Sequence, residues 1–453
     1  MSNSLKFVTM SALLVIIPSS GLAQGSPNVQ LLAQVDDYHS VGYNDCWGYT
    51  APDGREYALL GVLDGTSIID ISEAATVGEV AFIPSSFSTW KDIKTYRHFA
   101  YVVTEAPSGA LQIIDLSTLP DSAALVRSFS EFAPSHNISI DTANAMLYVE
   151  GSSSESVRVI SLADPLNPVQ VSSFGIPSHD IYARDNIAYV SEGSNHTVGI
   201  FDLSTPDTPT LLKRFGIPTN GYVHNAWLSD DGNYLMTTEE TAGKTVKMWN
   251  ISNFDSIRLS DEYLALPNLE IAHNTHIKGD YAYISHYKDG LRIVDISDPD
   301  SIFEVGYYDT FPGPGGIFDG AWGAFPFFAS GKVLISDRTS GLFVVYFAGA
   351  QTGVGNSNEL PVEFAVSPNY PNPFNPTTTI NYQLSEATTV RLTIYNVLGQ
   401  KIRTLVDQAL GSGFHKAIWD GRSDSGLSVV SGTYIYRFEA GSFIDTNKML
   451  LLK

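Results

Sequence analysis

A single cysteine, Cys46, stands in 453 residues, so no disulfide can form within the chain and its stability must come from packing. Basic residues are scarce too. The 26 Lys and Arg set against 48 Asp and Glu leave a formal net charge of −22. A polyanion of this kind is not drawn to nucleic acid or to an anionic membrane surface. Charged residues make up only 16% and hydrophobic residues 43%, a balance that excludes a disordered chain. Beyond residue 17 there is no apolar run long enough to cross a bilayer as a helix. Catalytic signatures are also missing: there is no G-x-S-x-G elbow, no H-E-x-x-H pair and no Cys/His zinc spacing. The Gly-rich stretch GPGGIFDG (313–320) holds Pro314 and follows no βα unit, so it reads as a loop and not a phosphate cradle.

What is present begins with an export pattern. Lys6, an apolar stretch from Phe7 to Ile17 and small residues up to Ala23 form the three regions of a signal peptide. Cleavage is expected after Ala23, leaving residues 1–23 behind. The residue directly after that point is Gln24 and not a cysteine, which excludes a lipoprotein signal.

Seven times, at intervals of roughly 45 residues, the chain repeats a polar or aromatic pair, a Tyr/Val-rich strand and a strand ending in Asp-Ile-Ser or a variant. The opening pairs read as Cys46-Trp47, Lys91-Asp92, His136-Asn137, His179-Asp180, His224-Asn225, His273-Asn274 and Ala321-Trp322. Strand content at this period predicts an all-β fold, a seven-bladed β-propeller over 24–347. The seventh unit stops after three strands. VQLLAQVDDY (29–38) supplies the expected fourth, with 29–36 pairing onto 341–347 and the alternation Val29, Leu31, Ala33, Val35 facing one side. The recurrent strand-end Asp70, Asp115, Asp202 and Asp295, with Asn250, predicts turns in which the side chain accepts from a backbone N–H two residues on. Calcium held by Asp295, Asp298 and Asp300 is the weaker reading, because the D-x-[DN]-x-[DN]-G loop is missing.

Equivalent opener positions in seven blades must lie on a circle near one mouth of the channel. The candidate ligand-binding ring is therefore Asp92, His136, His179, Asp180, His224, His273 and His276. Two roles suit such residues. Buried between sheets, His beside Asn or Asp can bond a neighbour's backbone and fix blade-to-blade register. Facing the channel, neutral imidazoles and carboxylates form a polar pocket for a ligand or a divalent cation. The register role is the favoured one, and no residue is assigned to catalysis.

After Tyr346 the chain turns small and polar, and 348–360 reads as a linker. Alternating strands in 361–453 then predict a small Ig-like β-sandwich. The run Tyr370-Pro371-Asn372-Pro373-Phe374-Asn375-Pro376, the segments YNVLGQKI, WDG and SGTYIYRF, and the terminal Lys453 resemble the type A C-terminal sorting domain of the type IX secretion system. WGY (47–49), GREYALLG (54–61), DGTSIIDIS (64–72), AHNTHIKGDYAYISHYKDGLRIVDIS (272–297) and GAWGAFPFFASGKVLISDRTSGLFVV (320–345) resemble the choice-of-anchor B family with its LVIVD-type repeats. These resemblances imply a Bacteroidetes-type cell envelope and handling by the type IX secretion machinery. They also imply a tail that is removed, and a product on the outer-membrane surface or outside the cell. The expected function is a non-enzymatic binding module. The alternative is a metal-dependent hydrolase or lactonase-like enzyme with its site at the channel mouth.

Overall fold

The computed structural model describes residues 25–132, 134–151, 157–265, 270–349, 364–366, 369 and 374–452. The signal peptide, the linker beyond Gly349, residues 370–373 of the Pro/Asn run and Lys453 lie outside the described residues. Among those described, strands and short 3₁₀ turns make up the regular structure, and no helix is long and apolar enough to cross a membrane.

Seven four-stranded antiparallel sheets follow one another along the chain as propeller-like blades. The first runs Tyr43–Thr50, Glu56–Val62, Gly65–Asp70 and Gly78–Pro84, each strand paired with the next. The innermost strands of the other six are Lys91–Tyr96, Ser135–Asp141, Asp180–Arg184, Val223–Leu228, Thr275–Lys278 and Ala321–Phe325. The second and third strands are apolar on both faces because each sheet is covered on both sides. An apolar core lies between every sheet and the next, and a further one joins the seventh sheet to the first through Leu334, Leu342 and Val344 against Cys46, Leu60 and Ile69.

The fourth strand of the seventh sheet comes from the N-terminus. Val29–Val35 pairs antiparallel with Gly341–Phe347, from Val29 opposite Phe347 to Val35 opposite Leu342. It also carries a bulge at Leu32. In the first sheet the fourth strand bulges at Val80, between Ala81 paired with Ile68 and Glu79 paired with Ile69. Register makes Val344 and Val345 the counterparts of Ile68 and Ile69, since Leu334 and Leu59 pair at matching points. The N-terminal strand thus reproduces the outer-strand irregularity at its usual place. The bulge overturns the strict alternation expected of this segment: Leu31 is 40% exposed, whereas Leu32, Ala33 and Val35 pack on the core shared with the first sheet.

The strand-end residues form the expected turns. Asp70, Asp115, Asp202, Asn250 and Asp295 each accept from the backbone N–H two residues on, at 2.8–3.2 Å. Asp298 does the same for Asp300, and Asp300 pairs with Arg258 at 3.1 Å, so these carboxylates are engaged in turn and surface contacts.

The C-terminal segment forms two sheets. One orders Ala365–Val366, Thr378–Leu384 and Gly413–Trp419, and the other Lys401–Leu410, Thr388–Asn396, Gly432–Ala440 and Phe443–Leu451. Ile380, Leu384 and Trp419 from the first share one core with Leu392, Ile394, Tyr436 and Phe438 from the second, which makes the pair a sandwich.

Candidate functional site: the mouth of the central axis

Strand register shows which opener residues are equivalent. Leu60, Val102, Val149, Val190, Thr237, Ile284 and Ile335 occupy one position of the second strands, and their partners are Cys46, Ile93, Ile138, Ile181, Ala226, Thr275 and Ala324. Counting back by two and one residues, the opening pairs are Asn44-Asp45, Lys91-Asp92, His136-Asn137, His179-Asp180, His224-Asn225, His273-Asn274 and Trp322-Gly323. Five expected pairs stand in register. Cys46-Trp47 lies two residues too late and Ala321-Trp322 one residue too early, because a Trp stands out in sequence whichever position it fills.

The second member of these pairs joins neighbouring blades. Asp92 Oδ2 accepts from the Ile138 backbone N–H of the next sheet at 2.8 Å, and Asn225 Oδ1 accepts from the equivalent Thr275 N–H at 3.0 Å. Asn225 also donates to Asp180 at 2.6 Å. Asp92 is buried against Lys94, 2.5 Å away, and does not reach the mouth. Asp180 and His276 line a separate, deeper cavity of about 90 Å³ with Asp45, Trp47, Lys94 and Trp227. His276 sits among Trp47, Trp227 and Phe327, with ring centroids 4.5–6.0 Å away.

The first member makes the mouth. The rings of His136, His179, His224, His273 and Trp322 follow one another in an arc, with successive centroids 4.3, 4.3, 4.2 and 4.5 Å apart. Each comes from a different sheet. Beside the arc opens a cavity of about 370 Å³, lined by His136 and His179 and by Glu105, Glu150, Tyr222, Glu240, Tyr287, Trp322 and Arg338, with Trp90 and Phe318 at its rim. Glu105, Glu240, Tyr287 and Arg338 stand three residues beyond the register position of their second strands. This second ring was missed in the sequence. Its only signal is a polar residue just beyond four of the Tyr/Val-rich strands, and those residues come together only once the strands are aligned.

The histidines divide the two expected roles between them. His273 Nδ1 meets the Trp322 carbonyl oxygen at 2.6 Å, a bond across blades. His136 Nδ1 meets Glu105 at 2.7 Å. His179 Nδ1 meets the Tyr222 hydroxyl at 3.0 Å, and its Nε2 is buried without a hydrogen-bond partner. His224 is 3% exposed; its Nε2 lies 4.0 Å from Glu240. The backbone of His273 acts on His224, but His224 Nδ1 completes no hydrogen bond.

Burial keeps the imidazoles of His179, His224, His273 and His276 neutral. It holds His179 and His273 well below the usual histidine range, with neighbouring histidines adding to the effect. Burial takes His224 down to about 4 and His276 down to about 3. It also pushes Glu150 up to about 9 and Asp180 up to about 6. In the unfolded chain the same histidines titrate near 6.5. Below that pH the unfolded state takes up protons that the folded state refuses. Their contribution to stability is therefore complete above about pH 6.5 and lost as pH falls toward about 4. Asp45, Glu150, Asp180 and Asp309, whose carboxyls burial holds above their usual range, work in the opposite sense and offset part of this loss. The histidine contribution should thus lower the melting temperature between about pH 6.5 and 4. His276→Phe, which keeps the aromatic packing and cannot take a proton, should flatten that fall; an unchanged profile would contradict the assignment.

Comparison with known proteins adds two segments and one structure. Residues 271–310, which include the sixth inner strand and its His276, match the LVIVD repeat family. Residues 372–442 of the tail match the FlgD Ig-like domain family. No curated protein matches the sequence. Among solved structures, the chain is similar to PorZ, described as an essential bacterial surface component of the type IX secretion system of Porphyromonas gingivalis, with 13% identity and a TM-score of 0.49. That superposition takes in 92% of this chain and spans 60% of the PorZ chain.

Proposed function

We propose that this protein is an exported, seven-bladed β-propeller that acts as a binding module at the cell surface or outside the cell, with its ligand seated at the mouth. The observation that carries the reading is the mouth cavity, to which six sheets contribute side chains around an arc of histidines. Aromatic faces at the rim and carboxylates within suit a polar ligand with a positive or metal-bearing group. Binding is favoured over turnover because the imidazole nitrogens contact a carboxylate, a phenol and a backbone carbonyl, not a poised Ser or Cys nucleophile. A metal-dependent hydrolase is the second reading, favoured only by the juxtaposition of His179, His224 and Glu240.

Membership in the choice-of-anchor B family, and a type IX sorting role for residues 361–453, belong to the same proposal. Both rest on sequence resemblance. Surface material should begin at Gln24 and end near Pro361, as read by N-terminal sequencing and intact mass; full-length chain kept in the cytoplasm would contradict export. For binding, glycan and peptide arrays probed with the protein should give hits that Trp322→Ala and Arg338→Ala abolish. Hits indifferent to both changes would move the site away from the mouth.

A further inference from the structure

We propose that His179, His224 and Glu240 bind one divalent first-row transition-metal ion, exposed on its open side to the mouth cavity. This deepens the binding-module reading and rests on it. One ligand atom from each of the three side chains lies within 4.8 Å of the other two, and among the described residues these three form the group so placed. Around zinc, with bonds of about 2.0–2.1 Å, tetrahedral ligand atoms stand about 3.3 Å apart. A side-chain contraction of at most about 1.5 Å therefore closes the site.

Two of the three ligands, His179 and Glu240, have a partner suited to orienting them. His179 Nδ1 can donate its proton to the Tyr222 hydroxyl, which leaves the Nε2 lone pair unused and buried. Glu240 Oε1 accepts from the Tyr287 hydroxyl at 2.5 Å, which leaves Oε2 turned toward His224 Nε2 at 4.0 Å. Metal-bound His and carboxylate side chains need outer partners of this kind to fix tautomer and direction. The supporting residues are themselves anchored. Tyr222 N–H donates to Thr241 Oγ1 at 3.0 Å, and Glu240 N–H donates to the Tyr222 carbonyl at 2.8 Å, so the segment carrying Tyr222 and His224 is bonded to the one carrying Glu240.

The donor set selects the metal class. Two imidazoles and one carboxylate suit zinc and its first-row neighbours, whereas calcium and magnesium prefer oxygen alone. Neutral imidazoles have no proton to lose before binding at neutral pH. Three protein ligands leave at least one position for water or for a donor atom of a larger ligand in the cavity.

The test is calorimetric titration of zinc chloride into metal-stripped full-length protein, with stoichiometry checked by native mass spectrometry. One zinc per chain is expected. Tyr222→Phe should weaken it about 10–100-fold, and Glu240→Gln by more. His39→Gln, which changes an exposed histidine remote in sequence, should change nothing. His179→Gln is the direct ligand test, with Glu240→Gln, on a partly exposed side chain, as the variant expected to keep the fold. Equal affinity in wild type and Glu240→Gln would overturn the metal site, as would loss of zinc on changing His39. If zinc fails to bind while array ligands still depend on Trp322 and Arg338, the metal inference is wrong and the binding-module reading stands. If both fail, the mouth is not a site.

Discussion

Deleting residues 24–37 should leave a protein that is insoluble or melts far below the chain beginning at Gln24. The deleted segment holds the strand Val29–Val35, which supplies the outer edge of the seventh sheet. Without it, Gly341–Phe347 presents a row of unpaired backbone groups flanked by Phe343, Val345 and Phe347, an edge ready to pair with other chains. The loss reaches both neighbouring interfaces. Val29 packs on the core between the sixth and seventh sheets, and Leu32, Ala33 and Val35 pack on the core between the seventh and first. Asn28 adds a bond to the Val305 carbonyl in the sixth sheet at 2.8 Å. Sedimentation and thermal melting of the two proteins decide it; equal solubility and melting would show that the segment is only a tether.

Lys247→Met should cost about 3–5 kcal/mol, the usual result of removing one partner from a buried ion pair. Lys247 and Glu239 are each 1% exposed and lie 2.5 Å apart. Glu239 also accepts from Thr219 Oγ1 and from the Gly221 N–H at 2.7 Å, so it tethers the loop that carries Tyr222 to the mouth. Gly221 suits this contact because a Cβ there would meet Glu239 Oε1 at 2.3 Å. With the ammonium gone, the carboxylate must stay charged without its cation or take up a proton. The double variant Lys247→Met, Glu239→Gln should recover much of the loss, since no lone charge remains. Denaturant unfolding of the four members of the cycle measures the coupling. Additive losses would contradict it. Glu192, at the corresponding place in the fourth sheet, holds Arg214 through two bonds of 2.7 and 2.8 Å, so the device recurs in the repeat.

The parts of this architecture readable from the sequence are those that repeat locally. Strand-end Asp and Asn residues reveal their turns because the side chain and the N–H it meets are two residues apart. The Tyr/Val-rich strands reveal themselves because burial on both faces makes them continuously apolar. Five opening pairs are readable in the sequence, and the other two are misaligned because Trp47 and Trp322 stand out beside the true pairs Asn44-Asp45 and Trp322-Gly323. Only strand pairing settles that alignment, and pairing is not a local property. The same limit hid Glu105 and Glu240, whose place at the mouth depends on seven second strands being brought into register. It also hid the bulge at Leu32, which turns an alternating pattern into a shifted one. The seven candidate residues did not form a single ring. His136, His179, His224 and His273 follow the mouth, while Asp92, Asp180 and His276 lie deeper, because successive residues of an inner strand face opposite sides and descend along the axis.

Crystals of the protein grown with zinc and measured on both sides of the zinc absorption edge test the central claim most directly. The mouth should show one anomalous peak, bounded by His179 Nε2, His224 and Glu240, with Tyr222 and Tyr287 still bonded to their partners. A mouth without a peak, or peaks confined to exposed histidines such as His39, would contradict it.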